Sequence, residues 1–114
     1  AGREKLRSDL TTQIIDAGAQ IRDLELAATG VGGDARAKIE HDAGQVRAEL
    51  SKAHQKLENN LEAEVAEAES EMGTLQKEAG DASPDAAAGI AARAEWARLR
   101  RDAAQERLQA ARQL

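Results

Sequence analysis

Ser51, His54 and Glu58 fall at i, i+3 and i+7, so they share one helical face and carry the residue types of a nucleophile, its base and an orienting carboxylate. Hydrolytic chemistry needs more than this inventory. It also needs an oxyanion hole of unpaired donors, and the interior of a helix has already consumed its N–H groups in the i→i−4 ladder. These residues are expected to form a solvated face, and no catalytic residue is assigned.

Metal and anion chemistry fare no better. His41 and His54 are 13 positions apart, which at 3.6 residues per turn points them about 140° away from each other on one helix. They cannot share an ion. His54 with Glu58 is a lone i, i+4 pair, and the chain has no Glu-x-x-His pair to build a di-metal bundle site. No metal or cofactor is expected. The segment Gly30-Val31-Gly32-Gly33-Asp34 is glycine-rich and precedes a helix start, a geometry able to receive phosphate. Without a preceding strand or a Gly-Lys-Ser/Thr sequence it reads as an interhelical turn.

Charge clusters give two further candidates. Glu58, Glu62, Glu64, Glu67, Glu69 and Glu71 form the densest acidic stretch, expected to be a solvated helix face or to oppose arginines. Arg98, Arg100 and Arg101 lie beside Trp96, the combination of cation and stacking ring that single-stranded nucleic acids use. A net charge of −5 and the acids Asp102 and Glu106 argue against phosphate binding. Nucleic acid is therefore not an expected partner; Trp96 is expected to pack and the arginines to face Glu residues or water.

The elements that carry these residues follow from composition. Of 114 residues, 26 are Ala, and only 21 are larger apolar groups, with one Trp and no Phe or Tyr. Few bulky groups are present to fill a globular interior, whereas Ala lets helix backbones approach closely. Ala, Leu, Glu, Gln, Lys and Arg dominate, all strong helix formers. The absence of Cys excludes disulfides and thiolate chemistry and leaves the compartment open. No apolar run exceeds the seven residues 86–92, against the roughly 18 needed for a membrane span. A soluble chain is expected. The opening Ala1-Gly2-Arg3, without an initiator Met, suggests a domain excised from a longer protein.

Two clusters of turn formers, at 30–34 and at Gly80-Asp81-Ala82-Ser83-Pro84, divide the chain into three helices expected at about 3–29, 34–79 and 84–114. Gly30 and Gly80 are placed to end helices, and Asp34 to cap the second. Ser83, Pro84 and Asp85 read as N-cap, first-position proline and first-turn carboxylate.

Apolar periodicity supports each helix. Leu10, Ile14, Ala17, Ile21, Leu24 and Ala28 step by fours and threes. Ile39, Ala43, Val46, Leu50, Ala53 and Leu57 keep that alternation, and Leu61, Val65, Ala68, Met72, Leu75 and Ala79 resume it. Three successive steps of four from Ala53 to Val65 shift the stripe around Asn59-Asn60. The third segment carries two stripes. One is Ile90, Ala94, Ala97, Ala104, Leu108 and Ala111; the other is Trp96, Leu99, Ala103, Ala110 and Leu114.

The fold expected is all-α, an elongated antiparallel three-helix bundle with coiled-coil-like packing and a long central helix. Helix one folds onto the early half of helix two, and helix three onto its later half, overlapping helix one. Charge favours the second pairing, since residues 57–82 carry eight acids against Lys77, while helix three holds six arginines against four acids. The length and three-helix plan are coarsely similar to a spectrin-type repeat, without matching motif residues, so no function transfers.

A structural or protein–protein interaction module, acting as scaffold, spacer or helix-docking surface, is the expected function rather than an enzyme. The second stripe of helix three, Trp96, Leu99, Ala103, Ala110 and Leu114, is the candidate interaction surface, for a protein partner or for self-association. The alternative is an amphipathic protein that lays its helices on lipid or binds an apolar ligand. Membrane-surface helices carry Lys/Arg along the polar face, whereas helix one mixes signs and helix two is acidic, which disfavours that reading.

Overall fold

The computed structural model describes residues 2–114. They form three helices, α1 (Gly2–Thr29), α2 (Gly33–Asp81) and α3 (Pro84–Arg112), with no strand among the described residues. The chain is an all-α helical bundle in which α1 packs on α2 and α2 on α3. The packing of the described residues divides into two compact units, one built from residues 2–58 with Leu114 and the other from Asn59–Gln113. The 49-residue α2 serves both.

In the first unit the buried positions are Arg7, Leu10, Ile14 and Ala28 of α1, and Ala43, Ala53 and Leu57 of α2. All but Arg7 belong to the stripes that the 3–4 spacing defines. Arg7 lies one turn before Leu10 on the same seam, and an arginine can bury its aliphatic stem while its head finds partners. The turn between α1 and α2 is only Gly30, Val31 and Gly32, so the two helices run antiparallel. An ion pair joins Arg47 of α2 to Glu25 of α1 across that hairpin.

The second unit buries Leu61, Ala68 and Leu75 of α2, together with Ile90, Ala97, Ala104, Leu108 and Ala111 of α3. Ala68, Ala97 and Ala104 are fully covered; with a methyl as the only side chain, they hold the two backbones close. Arginines of α3 descend the acidic side of α2. Arg93 meets Glu78, Arg100 meets Glu71, Glu67 and Glu64, and Arg112 meets Glu62, at 3.4–3.8 Å. Residue numbers fall along α2 as they rise along α3, which is the antiparallel pairing that the charge asymmetry favours.

The phase shift is visible in the burial. Ala53, Leu57 and Leu61 are all buried at steps of four, and the next buried residue of α2 is Ala68. The helix continues unbroken through Asn59 and Asn60, the first exposed and the second half-buried. The division into units falls between Glu58 and Asn59.

Helix ends depart from expectation in three places. Asp34 lies inside the first turn of α2 rather than capping it, because the helix is entered at Gly33, whose φ of 61° is the left-handed conformation that glycine adopts without a Cβ penalty. A carboxylate one residue inside still gains from the helix dipole. Gly80 does not end α2, which runs on to Asp81, since a single exposed glycine costs a helix only about 1 kcal/mol and does not break it. Finally, α3 stops at Arg112. The Gln113 N–H bonds the carbonyls of Ala110 and Ala111, so Leu114 lies past the helix. Ser83 behaves as its sequence suggests: its Oγ accepts from the Ala86 N–H at 3.4 Å, Pro84 opens α3, and Asp85 sits in the first turn.

Candidate interaction surface on the third helix

Successive residues of a helix are 100° apart, so the side chain next to a buried position projects well away from the core. Ala97 is wholly buried, and Trp96 beside it is 71% exposed. Leu99 is 49% exposed, Ala110 and Leu114 are exposed, and Ala103 is half-buried. The second stripe of α3 therefore lies outside the core, with Leu114 beyond the helix. This corrects the expectation that Trp96 packs. Its indole sits over water because Ala97 and Ala104, not Trp96, face α2.

The charges bordering this stripe are ordered. Arg93, Arg100 and Arg107 recur every seven residues along one border, and Glu95 and Asp102 along the other. Arg100 is shared among three glutamates of α2. On the acidic border Arg98 bonds Glu95 through Nε at 3.0 Å and also through a second guanidinium nitrogen, and it reaches Asp102 at 3.0 Å. Hydrogen bonding from Arg98 holds the Glu95 carboxyl below its ordinary value of 4.5, and the attraction of the guanidinium adds to this. Arg101 occupies the other oxygen of Asp102 at 3.0–3.1 Å. Sequence reasoning took Arg98, Arg100 and Arg101 as a small basic patch and the six arginines of α3 together as a complement to the acids of α2; the seven-residue spacing of Arg93, Arg100 and Arg107, legible in the sequence, is what makes those three a border.

The remaining candidates are placed as follows. His54 Nδ1 lies 3.2 Å from Glu58, both half-buried, while Ser51 is exposed and makes no hydrogen bond to either. The pair shares a face without assembling a nucleophile and base. His41 is exposed and its Nε2 lies 3.4 Å from the Gln45 amide nitrogen. No group of three or more His, Cys, Asp or Glu side chains converges as a metal site among the described residues. Of the acidic run, Glu62, Glu64, Glu67 and Glu71 face arginines of α3. No helix among the described residues is long and apolar enough to cross a membrane.

Sequence reasoning did not anticipate a cleft of about 400 Å³ in the first unit, between Leu24 and Ala28 on one side and Ile39 and Ala43 on the other. Its rim holds Arg36 and Arg47, each already paired, with Glu40 and Glu25 respectively. No single stretch of sequence signals it, since its lining comes from both α1 and α2 near their turn. Comparison of the chain with protein-family models, with curated proteins and with solved structures finds no match.

Proposed function

We propose that this chain is a non-catalytic interaction module, a helical bundle that docks a helical protein partner on the outer face of α3. One observation carries the reading: Trp96 and Leu99 stand exposed side by side on a helix whose opposite face is locked against α2. Large apolar groups held on a rigid element make a binding anchor at low entropic cost, and tryptophan is among the residues most enriched at binding hot spots. The border of opposite charges adds orientation to that anchor.

The test is a photo-crosslinking residue placed at Leu99 in the organism that makes the protein, compared with the same residue at the exposed Gln76 of α2. Docking on α3 predicts discrete crosslinked protein products from position 99 and not from position 76. Equal labelling from both positions, or none from 99, overturns the reading. Flotation with phospholipid vesicles is the counter-test. A chain that floats, and stops floating when Trp96 and Leu99 are changed to Glu, would replace protein docking with a lipid surface.

A further inference from the structure

We infer that the occupant of the α3 face is a second copy of this chain, its α3 paired parallel and in register with the first. This rests on the docking reading above and names its partner. Ala92, Trp96, Leu99 and Ala103 step by four, three and four along the exposed side of α3, the spacing of a two-stranded seam. Trp96 and Leu99 are the large members, and Ala92 and Ala103 on either side leave room for two indoles to lie past one another. Glu106 occupies the next seam position and closes the contact at about four layers, which makes the association weak and concentration-dependent.

The borders select both the partner and its direction. A partner helix carrying one sign of charge would be repelled along one border, because Arg93, Arg100 and Arg107 flank the seam on one side and Glu95 and Asp102 on the other. A parallel copy presents the matching order. In that arrangement each residue of the acidic flank meets the residue five positions further along the other helix. Glu95 then meets Arg100 of the second copy, and Asp102 meets its Arg107, with both pairs repeated by the two-fold axis. An antiparallel copy would set arginine border against arginine border and acid against acid. Among the described residues Arg107 has no ion pair of its own, so the second copy supplies its first.

The chain contains no cysteine, which makes a direct test available. In the 114-residue chain carrying Ala103→Cys, a parallel in-register pair brings the two residues 103 face to face, inside the roughly 4.4–6.8 Å Cα separation a disulfide needs. A glutathione redox buffer should then yield a covalent dimer, while Ala91→Cys, exposed on another side of α3, should not. Sedimentation equilibrium of the unmodified chain should show monomer passing to dimer with concentration. Asp102→Arg and Arg107→Glu should each weaken the dimer about tenfold or more, and an equimolar mixture of the two should recover it, because each variant then meets its complement. Circular dichroism confirms that every variant remains helical.

Any of three results overturns the inference: a chain monomeric to about 1 mM, Ala103→Cys crosslinking no faster than Ala91→Cys, or a mixture no tighter than its components. A monomeric chain whose position-99 probe still captures protein in the cell loses this inference and keeps the docking reading. Monomer with a silent probe loses both.

Discussion

Leu61 and Leu99 are the same residue type on neighbouring helices in opposite environments, 1% and 49% exposed, so one substitution made at both positions measures what each environment contributes. Leu61→Ala removes three buried carbon atoms, about 2.4 kcal/mol at about 0.8 per carbon. Partial collapse around the cavity adds to this, giving about 3 kcal/mol within the usual 2–5 for such changes. With an unfolding entropy of roughly 2.1 cal/mol/K per residue over 114 residues, 3 kcal/mol lowers the melting temperature by about 12 °C. Leu99→Ala loses only apolar area that is already half in water, and Ala is the better helix former. Its effect should stay within about 0.5 kcal/mol, or about 2 °C. Thermal and urea melts followed by circular dichroism, at a protein concentration where sedimentation shows monomer, measure both. If Leu99→Ala costs as much as Leu61→Ala there, the outer face of α3 is covered within a single chain and no docking surface exists. A small cost at both positions would refute the packed α2 seam itself.

Three other outcomes follow from the same geometry. Arg100→Gln should destabilise the fold by about 1–2 kcal/mol, because three glutamates lose their shared cation and the side chain of Glu64 is only 14% exposed. In 1 M NaCl, where the screening length is about 3 Å, most of that deficit should vanish in urea melts, and a salt-independent deficit would show the guanidinium acting by packing alone. Ser83→Ala should cost about 1 kcal/mol by leaving the Ala86 N–H without its side-chain acceptor, whereas Ser83→Asp should hold stability near the original; equal losses would deny the cap. Glu95 is a carboxylate depressed in the folded state by Arg98, so its stabilising pair is complete above the ordinary value of 4.5 and is lost as pH falls through the lowered folded value. A side-chain NMR titration should place its midpoint below 4.5, and Arg98→Gln should move that midpoint upward; an unmoved midpoint would remove Arg98 as the cause.

The elements were legible because their signals are local. Ser83-Pro84-Asp85 starts α3 by chemistry contained in four residues, and the stripes from Leu10 to Ala28 and from Ile39 to Ala79 reappear as buried or half-buried positions. Even the phase shift at Asn59-Asn60 could be read, since three steps of four cannot stay on one straight seam, and the two units divide beside it. Gly30 follows the last residue of α1 as its position predicts, whereas Gly80 misled for a physical reason. Gly30, Gly33 and Gly80 carry the same conformational licence, yet only Gly33 uses a positive φ, and which glycine does so is decided by how the chain must turn between helices.

The candidate face was legible in membership but not in exposure. Spacing alone put Trp96, Leu99, Ala103 and Ala110 on one face of α3, but spacing is silent on whether a neighbour covers that face. Apolar character argued that it is covered, and tertiary geometry left it bare because α3 has one buried seam, filled by Ala97 and Ala104. Small residues decide the matter. Ala97 and Ala104 fill the seam against α2, the indole of Trp96 projects about 100° away from Ala97, and Arg93, Arg100 and Arg112 reach the glutamates of α2. A core built on alanines leaves no recess for the largest side chain, so Trp96 remains outside it, 71% exposed.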